Sequence, residues 1–166
     1  MKLLLLRHGD AVAGGTNDAS RPLSPLGREQ ARKAGKFLAQ TAMSVDIVLC
    51  SPLQRAAETA DAVSEFISAR RSSTEHLVPS SDPANLIKEL NTASGTAILC
   101  VGHEPHLSAL ISLLLTGSRN ARVAMGKGDL ACIEVALPAA PGRGTLRWLV
   151  TTELLNADGG LLAATR

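Results

Sequence analysis

Two arginines and two histidines stand at or just beyond the ends of apolar runs in this chain. Arg7 and His8 follow "KLLLL", Arg55 lies five residues past "DIVLC", and His103 follows "TAILCVG". These residue types suit one kind of chemistry. A guanidinium is always charged and offers a planar fork of donors that matches phosphate oxygens two at a time. Opposite unit charges 4 Å apart attract by ~4 kcal/mol at an effective dielectric of 20, so two or three arginines can hold a dianion firmly. A neutral imidazole nitrogen can attack phosphorus, and a second histidine, if protonated, can donate to a phosphoryl oxygen. This chemistry requires no metal or cofactor, and none is expected.

The elements that must position these residues follow from the pattern. "KLLLL", "DIVLC" and "TAILCVG" have the length and composition of buried strands. Ser24 reads as the N-cap of a helix with Pro25 at its first position, running to about residue 42. Residues 53–69 read as a second helix. "PANLIKEL" reads as a third, capped by Ser81 or Asp82. "PHLSALISLLLTG" reads as a fourth that stops at Gly117. "LACIEVAL" and "TLRWLVT" flank a Pro/Gly turn and predict an antiparallel pair near one edge. Strands alternating with amphipathic helices imply a three-layer α/β/α sandwich around a mainly parallel sheet with an antiparallel edge. Ligands of such sheets collect beyond the carboxyl ends of the strands, which is where Arg7, His8, Arg55 and His103 fall. Helix N-termini after residues 52 and 103 add backbone N–H donors there.

Composition excludes other readings. The net charge of +2 gives no broad basic field for nucleic acid, and 2% aromatic residues with no Tyr provide no stacking platform. The leucine run ends after Leu6, too short for a signal-peptide core, and no stretch is long enough to span a membrane. Cys50, Cys100 and Cys132 are odd in number, far apart and set in apolar runs, as expected of buried thiols in a reducing compartment. The expectation is a cytoplasmic protein of one domain, residues 1–166.

The blocks "RHGDA" (7–11), "DASRPLSPLG" (18–27), "SPLQRAAETA" (51–60) and "VGHEPHL" (101–107) resemble the histidine phosphatase superfamily, of phosphoglycerate-mutase-like fold. More narrowly, they resemble its short SixA-type phosphohistidine phosphatases, and the likeness extends to "LRWLVTTELL" (146–155). The resemblance implies that His8 is the nucleophile, forming a phosphohistidine that water cleaves. It implies that Arg7, Arg55 and His103 complete the phosphate pocket. It places Arg21 near the substrate phosphate, and Ser51 is expected to orient the strand end or the imidazole.

Larger members carry an insertion after the second helix that covers the site and supplies a general acid. Residues 70–90 are too few and too polar for that. Asp18, in the active-site loop near Arg21, is the preferred acid, with Glu104 second. Expelling an alkoxide needs strong protonation, since its conjugate acid has a pKa near that of water, about 15.7. Imidazole leaves far more easily, because its ring nitrogen protonates near ~6.5. The expected reaction is therefore hydrolysis of phosphohistidine on a partner protein, a phosphotransfer domain or carrier, in signal transduction. The alternatives are a small-molecule phosphomonoesterase of the same superfamily and a phosphoprotein-binding module without turnover.

Other residues read as structural. Asp10 suits a turn or cap as well as catalysis, and "GGTND" (14–18) reads as a loop. Glu58 is expected to pair with Arg55 along the helix, and Arg70 and Arg71 to form a solvated helix end. His106 is expected to be exposed in a first helical turn, and His76 to be solvated.

Overall fold

Leu3, Leu4, Leu5 and Leu6 are all fully buried, because their strand lies inside a six-stranded sheet covered on both faces. The computed structural model describes residues 1–14, 17–41 and 43–162. The strands are β1 (Lys2–Arg7), β2 (Ile47–Cys50), β3 (Arg70–Ser73), β4 (Ala97–Gly102), β5 (Leu130–Val135) and β6 (Gly144–Val150). Their order is β3-β2-β4-β1-β5-β6. β3, β2, β4 and β1 run parallel, and β5 and β6 add the antiparallel edge.

Side chains alternate across a strand, so the leucine run feeds two cores. Leu3 and Leu5 join Leu86, Leu90, Leu107 and Leu110 on one face. Leu4 and Leu6 join Leu38, Ala60 and Val63 on the other. The first face is covered by α3 (Pro83–Leu90) and α4 (His106–Thr116), the second by α1 (Pro25–Gln40) and α2 (Gln54–Ser64). Each buried leucine contributes about 1.5–3 kcal/mol, which pins the end of β1 in place.

Most helix boundaries lie where expected. The Ser24 hydroxyl accepts from Gly27 N–H with Pro25 at the start of α1, Asp82 caps α3, and Gly117 ends α4 in the left-handed conformation. Ala42, expected as the last apolar position of α1, lies outside the described residues, as do Gly15 and Thr16 of the loop after β1.

The second helix is shorter than predicted. α2 ends at Ser64, and Arg70 and Arg71 belong to an exposed edge strand, β3, paired in parallel with β2. Sheet pairing overrides helical spacing here: Arg70 N–H donates to Asp46 O, while the Arg71 guanidinium pairs with Asp61. Among the described residues, no helix is long and apolar enough to cross a membrane. The three cysteines are free and buried.

Candidate active site

Strand register brings the first, third and fourth of the sequence blocks together. Arg7 lies opposite Gly102 and Cys50 opposite Val101, so β1, β2 and β4 end at one level. The ladders continue one residue further: His8 N–H donates to Gly102 O and Ser51 N–H to Val101 O, both at 3.0 Å. Beside them, the chain after β1 crosses the start of α1 with backbone almost touching. A Cβ on Gly9 would lie 2.3 Å from Gly27 O, and one on Gly27 would lie 1.9 Å from Asp10 O. Only glycine permits that crossing, which accounts for the third residue of "RHG" and the last of "SPLG".

His8 is buried, with both ring nitrogens engaged. Nδ1 is 2.6 Å from Gly9 O, and a carbonyl can only accept, so Nδ1 carries the proton. Nε2 is left with its lone pair, into which Arg55 Nε donates at 3.3 Å. Burial, outweighing the bond to Gly9, and the charges of Arg55, Arg7 and Lys127 push the His8 pKa down to about 4. The ring is therefore neutral at pH 7 and able to act as a nucleophile.

The His103 ring stands 4.8 Å from the His8 ring, tilted by 54°. Burial, with His8 and Arg55 close by, lowers its pKa to about 3. A protonated His103 is thus not the resting form, and the neutral ring offers one N–H and one lone pair. Arg7 donates to Met125 O at 2.7 Å, which aims the guanidinium along the sheet edge.

Burial without a partner is the informative feature. The buried side-chain polar atoms lacking a hydrogen bond among the described residues are Arg7 Nε, both nitrogens of His103 and both of His106. Such atoms are rare in folded proteins, and three of these five belong to pocket residues. An oxyanion held between His8, Arg7 and His103 would accept from Arg7 Nε–H and from the single N–H of His103.

Arg55 is buried at the start of α2 and gripped by Asp18. It donates to Asp18 O at 2.8 Å and to the carboxylate at 3.1 Å, while Arg21 donates to the other carboxylate oxygen at 2.9 Å. Bonding to Arg21, with further help from Arg55, lowers the Asp18 pKa, so Asp18 is ionised at neutral pH. In this arrangement it anchors two arginines and carries no proton to donate. Glu104 is likewise occupied, accepting from Ser108 N–H at 3.2 Å and from its hydroxyl at 2.6 Å. The buried Ser51 hydroxyl accepts from Leu53 N–H at 3.3 Å, capping the turn after β2 rather than the imidazole.

Three other expectations are corrected. Glu58 turns away from Arg55 and accepts from Leu23 N–H, Arg28 and Gln54. His106 is buried rather than exposed, because α4 turns it inward beneath the Asp82–Arg119 ion pair. His76 is half-buried in a 3-10 turn.

Sequence reasoning missed Lys127 and Thr59. Lys127 pairs with Asp10 at 2.5 Å, and Asp10 also accepts from the Ser24 hydroxyl at 2.6 Å. β5 runs antiparallel, so the loop before it reaches the edge where β1 ends. The "GKGD" ahead of that strand was the available signal. Among the described residues, no three His, Cys, Asp or Glu side chains converge to hold a metal ion.

The site is a neutral imidazole set among arginines at the carboxyl edge of a mostly parallel sheet, on a phosphoglycerate-mutase-like α/β fold. Residues 3–78 match the family model of the histidine phosphatase superfamily, branch 1. An uncharacterized protein of Mycobacterium tuberculosis is 38% identical over 112 residues, covering 66% of this chain and 69% of its own. The phosphohistidine phosphatase SixA of Escherichia coli K12 is 26% identical over 153 residues, 89% of this chain and 92% of its own. A structure of the protein histidine phosphatase SixA complexed with tungstate superposes with a TM-score of 0.82 at 24% identity, covering 92% of this chain and 97% of the other. The chain belongs to the histidine phosphatase superfamily and at that level is a phosphatase, similar over most of its length to SixA.

Proposed function

We propose that this chain hydrolyses the P–N bond of phosphohistidine on a partner protein, without a metal, through a phosphorylated His8. The observation that carries the reading is the pairing of a neutral, Nδ1-protonated His8 with orphaned donors on Arg7 and His103. The SixA relative is named for phosphohistidine, and the SixA structure holds tungstate, a tetrahedral oxyanion.

The chemistry follows from the contacts. As the phosphoryl group enters, its oxygens take donors from Arg7, Arg55 and His103, and Arg55 Nε leaves the His8 lone pair. His8 Nε2 forms a bond to phosphorus while the substrate P–N bond breaks. The substrate imidazole departs neutral when its distal nitrogen already carries a proton, so no strong acid is needed at the bridging atom. His8 acquires positive charge, and Gly9 O stabilises its Nδ1–H. Water then attacks phosphorus and its proton passes to the neutral His103; the bond to Nε2 breaks, and phosphate leaves. Arg21, through Asp18, holds the rim of the pocket.

An ionised Asp18 and an occupied Glu104 leave neither carboxyl group poised to protonate an alkoxide, which favours P–N over P–O substrates. The test is rapid quench with a labelled phosphohistidine carrier, comparing the native chain with His8→Ala. Acid-labile, base-stable label on the native chain alone is the expected result. Activity retained by His8→Ala would overturn the mechanism. Faster turnover of para-nitrophenyl phosphate than of phosphoramidate would move the substrate to small phosphomonoesters. Tight phosphate binding with no turnover of either would leave a binding module.

A further inference from the structure

Resting on His8 as nucleophile, we propose that Thr59 is the positioning residue of this site: its hydroxyl closes a ring of hydrogen bonds that selects the His8 tautomer. The ring has four members. Arg55 Nε–H donates to His8 Nε2 at 3.3 Å, and His8 Nδ1–H donates to Gly9 O at 2.6 Å. Gly9 N–H donates to Thr59 Oγ1 at 3.2 Å, and the Thr59 hydroxyl donates to Arg55 O at 2.7 Å. All four bonds run in the same sense, so each group gives one proton and receives one.

The hydroxyl is the joint on which that sense depends. A threonine hydroxyl has one proton, and the Arg55 carbonyl one turn back on α2 takes it. Only lone pairs then face Gly9, and they receive its buried N–H. Holding that N–H fixes the peptide plane between His8 and Gly9. The Gly9 carbonyl lies in the next peptide, whose Asp10 N–H donates to Gln30 Oε1 at 2.8 Å. Thr59 thus fixes one side of Gly9 and Gln30 the other, and together they set the approach of that carbonyl to Nδ1. Were the carbonyl to turn away, Nδ1 would lose its acceptor and the proton could reside on Nε2. That tautomer cannot attack phosphorus and would set a second N–H against Arg55 Nε. Thr59 is fully buried and stays behind the pocket, so it acts through Gly9 and Arg55. One side chain thereby couples the nucleophile of β1 to the phosphate-binding arginine of α2.

The experiment compares native, Thr59→Val and Thr59→Ser chains with ¹⁵N-labelled histidine. It reads the His8 ring nitrogens by NMR, the affinity for inorganic phosphate, and single-turnover phosphorylation of His8 from phosphoramidate. In Thr59→Val, which keeps the shape but loses the hydroxyl, His8 is expected to show both tautomers. Phosphoryl transfer should slow by about 10- to 100-fold, as for a misplaced nucleophile, while phosphate affinity holds. Thr59→Ser should restore the single tautomer and the rate. A His8 that remains wholly Nδ1-protonated in Thr59→Val, or a serine that restores neither, overturns the proposal. If Thr59→Val does not fold, the native and serine chains decide: an Nε2-protonated His8 in either overturns it, and Nδ1-protonation in both supports it. Failure of the native chain to form phosphohistidine, with the tautomer still following residue 59, would sink the nucleophile reading while leaving the role of Thr59 intact.

Discussion

The carboxyl ends of β1 and β4 lie side by side, yet their histidines are held in opposite ways. At the end of β1, both nitrogens of His8 have partners, so its tautomer and orientation are set. Beyond β4, His103 and His106 are buried, and none of their four ring nitrogens has a partner among the described residues. The His103 ring packs beside that of His8. His106 lies one helical turn on, near Asp82, Arg119 and His76. Burial alone therefore does not distinguish these histidines; what each ring faces does. A nucleophile must be aimed before substrate arrives, whereas a transition-state donor is best kept unspent until then.

The contrast breaks most sharply at Arg7. Its buried Nε has no partner among the described residues, as is true of the nitrogens of nearby His103. Arg7→Ala should cost at least the ~10²–10³-fold typical of one lost transition-state donor, read as kcat/KM on phosphoramidate. A loss below tenfold would mean that phosphate is held elsewhere. Arg7→Lys should recover little, because an ammonium is a point charge without the planar fork.

The unpaired histidines also predict a pH dependence of stability. Burial depresses His8, His103 and His106 to about 4, 3 and 4, against 6.5 when exposed. Between those values the unfolded chain binds more protons than the folded one, so stability rises with pH and falls as pH drops below 6.5. At pH 5 each histidine accounts for on the order of 1–2 kcal/mol of that fall. His106→Leu should flatten the fall between pH 7 and pH 5 by about one histidine's share while leaving phosphoryl transfer in place. Urea unfolding of both chains at the two pH values measures it. Equal slopes would mean that His106 reaches water or a partner in the folded state. The lowered carboxylates start from 3.8 and titrate below this window, so they do not obscure it.

How much of this was legible follows the same divide. Strand ends are written in local sequence: "KLLLL" before "RH" and "TAILCVG" before "H" locate Arg7, His8 and His103 because apolar runs end where the sheet does. The caps at Ser24 and Asp82 are equally local. What escaped depended on pieces brought from afar. Lys127 reaches the site from the loop before an antiparallel strand, 117 residues beyond Asp10. The inward face of His106 depends on where α4 docks. β3 forms only because β2 offers an edge to "RRSS", a segment without an apolar pattern of its own. Hydrogen-bond direction was likewise illegible: nothing in "SPLQRAAETA" tells that Thr59 faces Gly9 or that Glu58 faces Leu23.

The smallest effect is expected at Asp18, where two roles diverge. As a general acid, Asp18 would make Asp18→Asn nearly inactive on esters while sparing phosphoramidate. As an anchor, it shares its carboxylate between Arg55 and Arg21, and its side chain is 63% exposed. Ion pairs at such exposure are screened and worth little, so the loss should stay below about fivefold. It should also be alike for both substrate types, since the arginines serve the phosphoryl group and not the leaving group. Removing a negative charge beside Arg55 should meanwhile tighten binding of inorganic phosphate. A collapse of ester hydrolysis alone, with phosphate affinity unchanged, would return the proton to Asp18. The substrate argument would then change with it, because a chain able to protonate an alkoxide has no chemical reason to prefer P–N bonds.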